Sequence, residues 1–139
     1  MALPTSLQLR IVSAERLLVN EQVDEVEVPG ADGYFGVLPG HTPLLAALQV
    51  GELSYRRGSE THYLHVAFGF AEVTPESVTI LAEVAERAEE IDVARAEAAK
   101  RRAEERVLKI MDFDAERARI ALLKALIRIQ VASHARIRS

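Results

Sequence analysis

The apolar positions of the chain follow two different patterns, and the first of them extends to about residue 85. Leu7, Leu9 and Ile11 alternate with their neighbours, a period of two that is typical of a half-buried strand. A second strand pattern covers residues 53–57, is interrupted at Gly58 and continues after it, which predicts a hairpin. Gly and Pro recur at short spacing through this part. Many short strands separated by turns predict an antiparallel sandwich or barrel.

The second pattern begins at Glu86 and is helical. This part contains no Gly or Pro and is rich in Ala, Glu, Arg, Lys and Leu, which all favour helices. Asp112-Phe113-Asp114 interrupts it, and Asp114 is the expected N-cap of a second helix. Apolar residues recur at helical spacing on each side of this break: Val93, Ala96, Ala103, Val107 and Ile110, then Ala118, Leu122, Ala125, Ile129 and Ala132. The sequence therefore predicts a sandwich over 1–86 and an antiparallel helical hairpin over 87–139.

Composition sharpens this division. All 7 Gly and all 5 Pro precede residue 76, and the net charge of −4 combines an acidic first part with a basic second part. This balance gives no overall attraction to nucleic acid. The absence of cysteine excludes disulfides and thiolate metal sites. No apolar run is long enough to span a bilayer, and the first residues do not resemble a secretory signal.

No catalytic or metal-binding constellation stands out. Gly36 and Gly40 have the glycine spacing of a phosphate-binding loop, but His41 stands where that loop needs lysine. His62 and His65 are three positions apart on a predicted strand, so they point to opposite faces, which argues against a shared metal. We therefore predict neither catalytic residues nor metal ligands.

One segment carries a specific resemblance. The run from Gly36 to Leu45 reads Gly-Val-Leu-Pro-Gly-His-Thr-Pro-Leu-Leu and resembles the hallmark of the epsilon subunit of bacterial F-type ATP synthases. Residues 9–15 and 50–53 resemble further segments of that family. Residues 69–73 resemble its Gly-Gly-Phe-x-Glu-Val motif, with Phe68 where the first Gly is usual. The resemblance covers essentially the whole chain.

The resemblance implies a sandwich of about ten antiparallel strands followed by a movable helical hairpin. It implies a non-catalytic subunit of the rotating central stalk, bound to the gamma subunit and the c-subunit ring. The subunit would lie on the cytoplasmic face of the bacterial plasma membrane and associate with the membrane only through the proton-translocating complex. Its hairpin would fold on the sandwich, or extend toward the alpha and beta subunits and restrain ATP hydrolysis. The Ala-rich seam buries little area, which suits an element with two packings of similar energy.

The resemblance also implies a regulatory ATP site, although no cofactor is required. Ile91-Asp92-Val93-Ala94-Arg95-Ala96 matches the Ile/Leu-Asp-x-x-Arg-Ala pattern of the ATP-binding members. The adenosine end would meet Glu86, Ile91, Asp92 and Ala96, and the phosphates would meet Arg95, Arg102, Lys124 and Arg128. Lys124 stands where an arginine is expected, which removes bidentate geometry. The alternative is a solvated charge ladder in which Asp92 only caps the first helix.

Two further sets of contacts follow from the resemblance. The turn at Asp32, Gly33 and Tyr34, together with His41, would lie near the c ring and gamma. The last helix is basic and would meet acidic segments of the beta subunits in the extended state. Its basic residues are Arg117, Arg119, Lys124, Arg128, Arg136 and Arg138.

Two other classes of function fit the same pattern. A free-standing adaptor could bind one protein through the sandwich and another through the helices. A small enzyme fits less well, since no activated nucleophile or metal set is visible.

Overall fold

A computed structural model describes the backbone of residues 3–109 and 114–138 and the side chains of residues 3–108 and 115–135. The chain divides into two compact units, Met1–Arg87 and Ala88–Ser139. The strands of the first unit are β1 Leu7–Ser13, β2 Leu17–Val23, β3 Glu25–Gly30, β4 Gly33–Val37, β5 Leu44–Ala47, β6 Gly51–Arg57, β7 Glu60–Val73 and β8 Ser77–Arg87. The second unit contains a 3-10 turn, Ala88–Glu90, and the helices α1 Val93–Lys109 and α2 Asp114–Arg138.

The strands are hydrogen-bonded in the order β2-β1-β8-β7-β6-β3-β4, and β5 also pairs with β7. The longest strand, β7, joins the layers of the sandwich, because it pairs with β6 along its first half and with β5 along its second. The β6–β7 turn at Gly58 confirms the predicted hairpin. Its φ of 64° fits a two-residue hairpin turn.

The predicted sandwich is confirmed, but two of its details are corrected. Its described residues form eight strands rather than about ten, because β7 and β8 run for 14 and 11 residues and pair with three and two other strands. It is also not wholly antiparallel, because β1 pairs in parallel with β8. The long connection between the two strands permits this pairing.

The bend in β7 lies at Phe68 and Gly69. Both residues have positive φ, 57° and 116°, and Phe68 is the one described non-glycine residue with this property. A Cβ on Gly69 would lie 2.0 Å from the carbonyl oxygen of Leu81 in β8. The bend therefore needs glycine at its second position, and it forms even though Phe68 replaces the glycine usual at the first.

Alternation along the strands places one side chain in two in the core. Leu7, Leu9 and Ile11 are each 0% exposed, as the period of two predicts. They pack with the valines of β3 and with Leu53 and Ile80 from β6 and β8. This core fixes the register of each strand, because a slip of one residue would turn its apolar face outward.

The second unit is held by an alanine seam. Ala96 and Ala103 of α1 and Ala118, Ala125 and Ala132 of α2 are all buried, and each set repeats every seven residues. The seam is narrower than the predicted stripes, since Val107 is 39% exposed. Ile110 and the predicted break at 112–113 lie outside the described residues, whereas α2 begins at Asp114 as expected.

Candidate functional site

An apolar row crosses the outer face of the sandwich. Its members are aligned partners on five adjacent strands, each paired with the next: Ala47, Phe70, Leu81, Val12 and Leu17. Phe70 and Leu81 are each 55% exposed and Leu17 is 53% exposed. A contiguous apolar surface of this kind is typical of a protein interaction site, whereas single exposed leucines are ordinary on a protein surface.

Charged side chains border this apolar row. Glu72 and Glu83 lie on the same face, two positions along β7 and β8 from Phe70 and Leu81, and both are exposed. Arg10 lies two positions from Val12 on β1 and is also exposed. The row therefore suits a partner surface with an apolar centre and mainly basic side chains around it.

The predicted turn residues Asp32, Gly33 and Tyr34 come together beside a groove of about 440 Å³. Leu44 and Leu45 of β5 line its other side. Tyr34 is 51% exposed, and its hydroxyl oxygen accepts a hydrogen bond of 2.9 Å from the Glu52 amide. The turn thus presents an anchored aromatic ring and a carboxylate at one edge of the sandwich.

His41 is not among the residues that line this groove. Its Nδ1 atom lies 2.6 Å from the Thr42 carbonyl oxygen, to which it donates a hydrogen bond. Its own amide donates to the carbonyl of Leu38 at 3.1 Å. These bonds give His41 a role in shaping the Pro-Gly-His turn.

The predicted nucleotide residues are divided between the two units. Glu86 belongs to β8, where its Oε1 atom lies 2.9 Å from Nδ1 of His65. Asp92 caps α1, because its Oδ1 atom accepts a hydrogen bond of 3.1 Å from the Arg95 amide. This is the capping role given as the alternative, and it uses one of the two carboxylate oxygens of Asp92.

The remaining members of the set belong to the hairpin unit. Ile91 and Ala96 are buried, at 7% and 0% exposure. Arg95 and Arg102 are exposed on α1, whereas Lys124 and Arg128 are half-buried on α2. Two exposed and two half-buried cations on packed helices are compatible with binding of an anion.

The basic residues of α2 differ in their surroundings. Arg117 and Arg119 are exposed, and the guanidinium of Arg119 lies 3.0 Å from the Glu116 carboxylate. Arg136 and Arg138 lie in the last turns of α2, but their side chains are outside the described residues.

Sequence reasoning missed a polar network at the end of β8. The side chain of His65 is 1% exposed, and its bond to Glu86 joins adjacent strands. On the other face of β8, the Arg87 guanidinium donates to the Leu18 carbonyl of β2. No local signal could reveal these pairs, since their members are 21 and 69 positions apart.

Tyr55 lies on the Arg87 side of this network. Its ring is 2% exposed and stacks on His62 with centroids 5.0 Å apart. Burial, then the hydrogen bond and charge of Glu21, raise the pKa of Tyr55 to about 12, although Arg87 opposes the shift. The hydroxyl therefore keeps its proton at neutral pH.

The apolar row was also missed, although a signal for it existed. Ile11 is followed by Val12 and Ile80 by Leu81, so both faces of β1 and β8 are apolar at the same level. Consecutive apolar residues in a strand that otherwise alternates indicate an outer face that another surface covers.

Comparison with protein families identifies the class. Residues 6–88 match the beta-sandwich domain of the ATP synthase Delta/Epsilon chain. Residues 89–133 match the long alpha-helix domain of the same chain. Together the two matches span most of the sequence, and both agree with the observed units.

Individual relatives agree with this class. The ATP synthase epsilon chain of Nitratidesulfovibrio vulgaris is 50% identical over 131 residues, which cover 94% of this chain and 98% of the relative. That of Koribacter versatilis is 53% identical over 102 residues, which cover 73% and 72% of the two chains. The chain therefore belongs to the ATP synthase delta/epsilon family and is an epsilon-type subunit.

A solved structure has the same fold. A chain in the cryo-EM structure of the Euglena gracilis mitochondrial ATP synthase, OSCP/F1/c-ring, superposes with a TM-score of 0.81. The two are 23% identical, and the match covers 99% of this chain and 84% of that one. Among the described residues, neither helix combines the length and the apolar composition needed to cross a membrane.

Proposed function

We propose that this chain is a non-catalytic rotor subunit of the central stalk, which couples rotation of the c ring to ATP synthesis. The sandwich binds the gamma subunit, and the groove beside Asp32 meets the c ring. The chain lies on the cytoplasmic face of the bacterial plasma membrane and reaches the membrane only through the complex. The family assignment replaces the free-standing adaptor as the preferred function.

The apolar row is the observation that carries this proposal. Torque transmission requires a rigid docking face. The face of a sheet is rigid, because cross-strand pairing fixes the positions of its side chains. Full burial of Phe70 or Leu81 contributes about 1.5–3 kcal/mol each, so the row can supply the centre of a stable interface. Glu72 and Glu83 then select a basic border on gamma.

The experiment compares two aspartate variants of exposed leucines. Leu81→Asp places a charge in the row, and Leu3→Asp places one at a leucine that is 81% exposed outside it. We expect Leu81→Asp to weaken binding to gamma by at least about tenfold, because the charge is desolvated in the interface. Leu3→Asp serves as the control and should bind normally. Equal binding by both variants would contradict the proposed docking face.

We also propose that the hairpin restrains ATP hydrolysis and that ATP controls it. In the extended state, the basic face of α2 would meet the alpha and beta subunits, with acidic segments of beta as its targets. The exposure of Arg117 and Arg119 supports this assignment. ATP bound to the cations of both helices would favour the folded hairpin, because it would tie the helices together.

A further inference from the structure

The last two residues of β8 are attached to the sheet from opposite faces. Glu86 and Arg87 are cross-strand partners of His65 and Leu64 in β7. Because side chains alternate along a strand, the two point to opposite sides of the sheet. The division between the compact units follows directly, between Arg87 and Ala88.

The attachment on the outer face is the bond between Glu86 and His65. Its length is 2.9 Å, and His65 is almost fully buried. Among the described residues, no partner accepts from or donates to Nε2 of His65. The bond to Glu86 is therefore the one that satisfies this ring, and breaking it would leave a buried imidazole without a partner.

The attachment on the inner face is made by Arg87. Its guanidinium donates to the Leu18 carbonyl of β2, which is not a neighbour of β8 in the sheet. It also interacts with the hydroxyl of Tyr55 on β6, whose pKa Arg87 lowers and Glu21 of β2 raises. One side chain at the end of β8 thus links two other strands.

The contacts of the chain change at the next residue. Ala88 begins the 3-10 turn, and this turn packs against α2 within the second unit. Ala88 is buried at 4% exposure, and its carbonyl accepts a bond of 3.4 Å from the Ile91 amide. The 3-10 turn therefore packs with the hairpin and not with the sheet.

We infer that the Glu86–His65 bond and the Arg87 bonds form a two-sided clamp that fixes the pivot of the hairpin at the Arg87–Ala88 link. When the hairpin moves, β8 stays in the sheet through Arg87, and the 3-10 turn moves with α1 and α2. This inference rests on the proposed function, in which the hairpin has two positions. The clamp protects the sandwich from unravelling at the point where the movement is applied.

The test is residue-resolved amide hydrogen exchange of the full chain by NMR. We expect the bonded amides of residues 84–87 to exchange at the rate of the sandwich core, and those from Ala88 onward at the rate of the helices. The inference would be overturned if the amides of residues 84–87 exchanged at the rate of the helices. It would also be overturned if the amides of Ala88–Glu90 exchanged at the rate of the core, or if all amides of the chain exchanged in one event.

Variants locate the cause of the boundary. In Arg87→Gln, the amides of residues 84–87 should exchange at least about tenfold faster while β1 is unaffected, because bonds to a charged group are lost. Arg56→Gln is the matched control, since Arg56 bonds to Asp24 elsewhere in the same unit. Unchanged exchange rates for the amides of residues 84–87 in Arg87→Gln would contradict the clamp. This result would not bear on hydrolysis control, which is measured separately in the assembled enzyme.

Discussion

Gly69 and Leu81 approach each other so closely that a Cβ on Gly69 would lie 2.0 Å from the Leu81 carbonyl oxygen. The contact joins β7 to β8 beside the apolar row, to which Leu81 itself belongs. The positive φ of 116° at Gly69 produces the approach. The shape of the proposed docking face therefore depends on a backbone position that carries no side chain.

This relationship predicts a large effect of one added methyl group. Gly69→Ala should lower the free energy of unfolding by about 2–4 kcal/mol, because the backbone must move and an unfavourable φ is imposed. Urea denaturation measures the change. Gly36→Ala is the control, since Gly36 has open space around it and should change stability by less than about 1 kcal/mol. Equal losses in the two variants would contradict this account of the bend.

The raised pKa of Tyr55 predicts how the free energy of unfolding changes at alkaline pH. Its pKa is raised from 10.0 to about 12 in the folded state, so the stabilisation is complete below pH 10 and is lost as the pH rises to 12. The loss attributable to this group is about 2–3 kcal/mol. Denaturation of wild type and Tyr55→Phe across this range gives the difference. If the free energy of unfolding of both proteins changes with pH in the same way, the raised pKa of Tyr55 is contradicted.

The nucleotide set predicts binding of ATP to the isolated chain. Calorimetry with millimolar ATP should give heat, and Lys124→Arg should tighten binding by about three- to tenfold, because a guanidinium bonds phosphate bidentately. Lys100→Arg on α1 is the control for an added guanidinium outside the set. If wild type gives no heat at millimolar ATP, the cations of the hairpin do not form a nucleotide site.

The capping role of Asp92 can be separated from a ligand role. Asp92→Asn keeps an oxygen for the Arg95 amide, whereas Asp92→Ala removes it and should destabilise α1 by about 1 kcal/mol. Circular dichroism during thermal unfolding reports that difference. If Asp92 also contacts ATP, both variants should weaken binding. Weaker binding in Asp92→Ala alone would assign the residue to capping.

The basic face of α2 predicts an effect on the assembled enzyme. Deletion of residues 115–139 should raise ATP hydrolysis, because the restraining helix is removed. Arg117→Glu combined with Arg119→Glu should raise it partly, since the proposed beta-subunit targets are acidic. Arg106→Glu, at an exposed arginine of α1, is the charge-reversal control. Unchanged hydrolysis after the deletion would argue against a restraining hairpin.

Elements that depend on local spacing were predicted well. The alternation at Leu7, Leu9 and Ile11 located β1 and its core face, and Gly58 located the β6–β7 turn. The repeat of Ala96 and Ala103 located the helical seam. In each case the pattern and the structure share one cause, because burial of one face of an element requires a fixed period in its sequence.

Contacts between distant residues were not predicted. The parallel pairing of β1 with β8 places Val12 beside Leu81, and this pairing completes the apolar row. His65 could be assigned to a strand face but not to Glu86. Such partners are chosen by strand order and register, which many core contacts decide together and no single segment contains.

The sequence by itself thus determined the two kinds of structure and the motifs that resemble one family. Periodicity, turn chemistry and helix propensity are properties of short segments, so they can be read directly. Only the tertiary structure decided which outer face is apolar, how the bend in β7 is formed, and how the end of β8 is clamped. Those features arise where strands distant in sequence become neighbours, and the free energy of the whole core sets that arrangement.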